Sequence, residues 1–191
     1  MSETLAKMVL RQAERFGPQA ALKEKTDGSY IDITWQEMAD NILLFARSLR
    51  ALGIKENDRV AIMAPNCPEW VYADIGALSC TAVSVPVYHT EGINMLKHIV
   101  NDSGSRVLFI ASQLLAKDVA EQWGEISGLE KVVLLDGRLD HPDILSLTEF
   151  KELAESVPDG EIKQLLDSGS GDDPPPWSTL RARPGCQKGR C

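Results

Sequence analysis

The chain has 191 residues, 43% hydrophobic, 25% charged and 6% aromatic, the balance of a soluble globular protein with room for a sizeable core. Its 20 basic and 28 acidic residues leave a net charge of −8, which disfavours nucleic acid or an anionic membrane as the main partner. No apolar run approaches the roughly 20 residues that span a bilayer, and the opening stretch breaks its apolar positions with Glu3, Lys7, Arg11 and Glu14, unlike a signal peptide, so the expected address is cytoplasmic.

Leu5, Met8, Val9, Gln12 and Phe16 recur at helical spacing and Gly17-Pro18 closes the run, which predicts an amphipathic covering helix. Residues 20–25 and 30–34 are short extended runs joined by Thr26-Asp27-Gly28-Ser29, the pattern of a hairpin. Thr34-Trp35-Gln36-Glu37 is a capping box, and Met38, Ile42, Phe45, Leu49 and Leu52 form the buried stripe of the helix it starts, with Gly53 as its stop.

From residue 59 the pattern alternates. RVAIMA (59–64), AVSVPV (82–87), RVLFIA (106–111) and KVVLLD (131–136) read as strands, and residues 68–79, 93–101 and 112–123 read as helices between them. Continuous apolar runs rich in Val and Ile, separated by helices, predict an α/β fold: a mostly parallel sheet with helices on both faces. Ser146-Leu147-Thr148-Glu149 is a second capping box and begins a last helix through about Ser156.

Composition divides the chain into a folded part (1–158), a Gly/Ser/Asp linker (159–173) and a tail (174–191) without helical or strand period. All 28 acidic residues precede Pro174, whereas Arg181, Arg183, Lys188 and Arg190 follow it. Of the four cysteines, Cys67 and Cys80 lie in patterned segments and Cys186 and Cys191 in the tail; a chain with its own core needs no disulfide framework. The histidines His89, His98 and His141 are scattered and no Cys-x-x-Cys occurs, so no metal site is expected.

Ligands of such a sheet bind at the carboxyl ends of its strands, which directs attention to the loops after Ala64, Val87, Ala111 and Asp136. None carries a dinucleotide fingerprint, a Walker loop or a nucleophile elbow. His89 follows a strand but has neither nucleophile nor orienting group nearby in sequence, and His98 reads as a partly buried packing residue. Trp35, Trp70 and Tyr72 fall where helical packing explains them, and Arg181-Ala182-Arg183 is too short a basic run for a nucleic-acid arm. No residue is assigned as catalytic, cofactor-binding or metal-ligating.

Several segments together resemble the acyl-coenzyme A synthetases of the adenylate-forming superfamily. They are the T-W-x-E helix start at residues 34–37, D-R-V-A-I at 58–62, N-x-P-E-W at 66–70 with Gly76-Ala77-Leu78, V-P-x-Y-x-T at 85–90, and L-x-x-I-x-x-D-S-G at 96–104 before the 107–110 strand. Order and spacing are similar to the family's, and the run at 86–92 resembles the long-chain fatty acid branch. Thr81 stands where many members have glycine. The resemblance covers residues 1–173 and stops where the family's phosphate-binding loop, Y-T-S-G-T-T-G-x-P-K-G, would follow.

The tail accounts for that stop. When the third base of each codon is joined to the first two of the next, the junctions from Trp177 to Gly189 permit V-Y-T-S-G-T-T-G-L-P-K-G without contradiction, so the tail is expected to be a frameshifted phosphate loop. The resemblance then implies a partial amino-terminal subdomain of the adenylate-forming fold, from a ligase that uses ATP, Mg²⁺ and coenzyme A to activate a fatty acid through an acyl-adenylate. The family's phosphate loop, adenine segment, ribose-binding aspartate and carboxyl-terminal lysine match no residue here, so the chain is expected to be inactive and to hold no cofactor by itself. A stand-alone α/β binding or interaction module is the alternative. An isolated piece is also expected to expose apolar sheet edge or face and to self-associate.

Overall fold

The computed structural model describes residues 3–168. In chain order the elements are α1 (Leu5–Phe16), β1 (Ala20–Thr26), β2 (Ser29–Thr34), α2 (Trp35–Ala51), β3 (Arg59–Met63), α3 (Pro68–Ser79), β4 (Val83–Pro86), α4 (Ile93–Ser103), β5 (Ser105–Ile110), α5 (Gln113–Glu121), β6 (Lys131–Leu134), β7 (Ile144–Ser146), α6 (Leu147–Glu152) and α7 (Asp159–Ser168). Short 3₁₀ turns follow α5 and α6.

Alternation along β3 sets the architecture. Successive strand residues point to opposite faces, and Val60, Ala61, Ile62 and Met63 are all buried, so both faces of this strand must be covered. Val60 and Ile62, with Val107, Phe109 and Val133 of the neighbouring strands, pack under α2, α3, α6 and α7. Ala61 and Met63, with Leu108, Ile110, Val132 and Leu134, pack under α4 and α5. The strands run parallel in the order β4-β3-β5-β6-β7, and β1 and β2 form a separate antiparallel hairpin.

Phe45 of α2 is the centre of the first face, with its ring 5.8 Å from Phe109, 5.3 Å from Phe150 and 5.7 Å from Tyr72. Three of these contacts join residues far apart in sequence, so the cluster ties α2, α3, β5 and α6 into one core. Both capping boxes form: Thr34 Oγ1 accepts the Glu37 N–H at 3.1 Å while Glu37 accepts the Thr34 N–H at 2.8 Å, and Ser146 and Glu149 repeat the arrangement.

Two expectations change. Residues 159–168, taken as the first part of a linker, form α7; the apolar trio Ile162, Leu165 and Leu166 sits at helical spacing, and Ile162 and Leu166 are buried against the α2–α3 face. The rest of the expected linker and the tail at 174–191 lie outside the described residues, as do Cys186 and Cys191. His98 is exposed, not packed: Leu96 and Val100 of α4 face the sheet, and the residue midway between them points the other way at about 100° per residue. β7, a three-residue strand, has no counterpart in the sequence pattern.

Candidate functional site

The chain leaves β3 to build β4 on one side and then crosses to build β5 on the other, which places the topological switch point between β3 and β5. In an open parallel sheet the crevice beyond the carboxyl ends at that point is where ligands bind, because the diverging connections leave it uncovered. A cavity of about 260 Å³ opens there, lined by Met63 and Pro65 after β3, His89 from the β4–α4 loop, and Ala111, Ser112 and Leu115 around the start of α5.

Each lining residue is there for a local reason. Met63 closes β3 on the face covered by α4 and α5. Pro65 precedes Pro68, which opens α3 where a missing N–H costs nothing. Ser112 is the N-cap of α5 and its Oγ accepts the Leu115 N–H at 3.2 Å, so one lone pair is already engaged. His89 is exposed on its loop, and among the described residues no hydrogen bond or ion pair orients its ring. Tyr88 beside His89, Leu114 beside Leu115 and Met95 of α4 are large apolar side chains in exposed positions, at 80%, 76% and 45%.

The cavity is lined mainly by apolar groups, with one imidazole and one hydroxyl. The lining holds no carboxylate to set a tautomer on His89, and general-base catalysis needs such positioning. Cys67, next to the cavity's Pro65 loop, caps α3 by position without a side-chain bond, and burial pushes its thiol up against the lowering effect of the α3 amides. Among the described residues no group of three or more His, Cys, Asp or Glu side chains gathers as metal ligands. His141 stacks on Trp123 with centroids 5.0 Å apart and its Nδ1 accepts the Asp143 N–H, far along the chain from His89 and His98. A second cavity of about 320 Å³ between α2 and α7, lined by Asp40, Leu43, Arg47, Ile162 and Lys163, lies away from the strand ends.

Two groups of the segments that carry the resemblance lie at opposite ends of the sheet. Asp58, Arg59, Ser103 and Gly104 sit at the amino ends of the strands, opposite the cavity. Arg106 donates to Asp58, to the Gly53 carbonyl at 3.0 Å and through two nitrogens to Glu130 at 2.8 Å each. Arg59 passes over Gly104, where a Cβ would meet its guanidinium at 2.8 Å, and donates to the Ser103 carbonyl at 2.7 Å. These residues lock α2, β3 and β5 together and carry no ligand chemistry. Asn66 to Trp70 and residues 85–90 form the second group, and they shape two of the loops at the cavity. Trp70 is half-buried and Tyr72 buried, as packing residues, and Trp35 packs near Phe16 with centroids 6.1 Å apart. The loops after residues 64, 87 and 111, to which the sequence directed attention, supply Pro65, His89 and Ser112; Met63 and Leu115, inside β3 and α5, were missed, and it is the order of the strands that brings the set together.

A family described as AMP-binding enzyme matches residues 9–178. A long-chain-fatty-acid–CoA ligase, FadD15 of Mycobacterium bovis, is 31% identical over 173 residues, covering 90% of this chain and 28% of its own. A second such ligase, ACSBG2 of Gallus gallus, is 22% identical over 169 residues, covering 87% and 22%. The chain therefore spans about a quarter of the length of these curated relatives. Among solved structures, an anthranilate CoA ligase, AuaEII, in complex with anthranoyl-AMP superposes with a TM-score of 0.68 at 20% identity over 82% of this chain and 29% of that one. The long-chain-fatty-acid–CoA ligase FadD1 of Archaeoglobus fulgidus gives 0.67 at 20% identity over 83% and 31%.

Proposed function

Because the chain belongs to the AMP-binding enzyme family, we propose that it is the amino-terminal part of a long-chain fatty acid–CoA ligase, which joins a fatty acid to coenzyme A with ATP through an acyl-adenylate. The observation that carries this reading is the 31% identity over 173 residues with FadD15, which covers 90% of this chain.

The residues described do not fit ATP and Mg²⁺ as a site of their own. The cavity is lined mainly by apolar groups and offers the phosphates no guanidinium or ammonium group, and no carboxylate pair is gathered to hold the metal. No adenylation step is therefore assigned to them. Their contribution is a sheet that presents a mainly apolar crevice at its carboxyl end. In this reading the 191 residues alone do not turn over, and the tail at 174–191 is the phosphate loop read in a shifted frame. The unpaired thiols Cys67 and Cys80 support the cytoplasmic address that belongs to the same reading.

The test is to sequence the coding DNA from the Asp172 codon to several hundred bases past the Cys191 codon, and to assay the purified chain for fatty-acid-dependent pyrophosphate release. A shifted frame that opens into the phosphate loop and the rest of an adenylating enzyme, with background pyrophosphate release, is the expected result. Clear turnover by the purified chain overturns the inactivity. A confirmed frame with nothing related in any other overturns the frameshift and leaves an α/β binding module.

A further inference from the structure

We draw no further inference here: the strongest candidate, the cavity at the carboxyl ends of β3 and β5 with His89 and Ser112 in its lining, belongs to the site already described.

Discussion

Thr81 has φ of +58°, a left-handed conformation in which a β-branched side chain crowds its own backbone. The turn needs it, since the Thr81 carbonyl accepts the Asn57 N–H at 2.9 Å and so joins the end of α3 to the loop before β3. Left-handed geometry costs an L-residue about 1–2 kcal/mol, and glycine's extra freedom when unfolded returns about 0.4–1 of that. Thr81→Gly is therefore expected to stabilise the chain by about 0.5–1 kcal/mol, read as a higher urea midpoint; an unchanged or lower midpoint contradicts the strain. The opposite case is Gly76 of α3, where an added Cβ would meet Phe45 Cβ at 3.1 Å and the Ala46 backbone nitrogen at 3.3 Å. The backbone of α2 cannot yield as a side-chain tip can, so Gly76→Val is expected to cost about 2–3 kcal/mol by overpacking. Tyr72 and Cys80 give the core an alkaline limit. Burial, with Glu69 next, pushes Tyr72 up to about 12, and burial pushes Cys80 up to about 12 as well. Folding favours both neutral forms, so their stabilisation is complete below their unfolded-state pKa values and is lost as pH rises through the interval to about 12. A melting temperature that falls from pH 9 to 11.5, and falls less steeply in Tyr72→Phe, is the expected titration; identical slopes would exclude Tyr72 as a cause.

The helices show which elements a sequence can announce. Both capping boxes, the stripe of α2 and the three helices between strands are local patterns, and each formed where its residues place it. Thr34→Ala is expected to cost about 1 kcal/mol. It also weakens acid resistance: the Thr34 backbone N–H, then its hydroxyl, hold the Glu37 carboxyl below the usual range. The stabilisation from that carboxylate is present at neutral pH and is lost as pH falls through the folded value, so the acid midpoint of Thr34→Ala should move toward neutrality. α7 and β7 were illegible for a different reason. Asp159-Gly160-Glu161 has weak helix propensity, and α7 persists because Ile162 and Leu166 find the α2–α3 face, an attachment the Arg50–Glu161 ion pair at 2.8 Å accompanies. Ile162→Ala is accordingly expected to lower stability by about 2–4 kcal/mol in equilibrium unfolding. A neutral result would return residues 159–168 to the linker first expected there. The site was legible in part: the loops after residues 64, 87 and 111 were expected to bind ligands and supply Pro65, His89 and Ser112, and what the sequence could not show is that the strand order makes them neighbours of one another and of Met63.

At the scale of the whole molecule, an isolated sheet of this kind should betray itself by uncovered face and edge. The faces do not: helices from within residues 5–168 cover both, and each core cluster is completed by this chain's own side chains. The edges are short as well. On β4 the Val83 N–H is spent on the Asp58 carbonyl just before β3 at 2.8 Å, and just past β4 the Val87 N–H on the Ile62 carbonyl of β3 at 2.9 Å, so the alternate residues Ser84 and Pro86 face outward, and Pro86 has no N–H to offer another strand. The other edge, β7, is three residues long. Among the described residues the exposed large apolar side chains lie elsewhere, Tyr88 and Leu114 foremost, each more than three-quarters exposed, and the self-association first expected is proposed to use them. Two results should therefore appear together for the full chain: a single cooperative thermal transition, since each core cluster forms within the chain, and concentration-dependent association in sedimentation, since Tyr88 and Leu114 lie exposed. Tyr88→Lys with Leu114→Lys should abolish the association and leave the transition within about a degree, because neither side chain contributes burial to lose. Association that survives this pair would place the contact elsewhere, on β2 with Tyr30 and Ile31 or on the exposed Leu5 and Met8 of α1, and a broad, non-cooperative melt would show that the two cores need more chain than residues 3–168 supply.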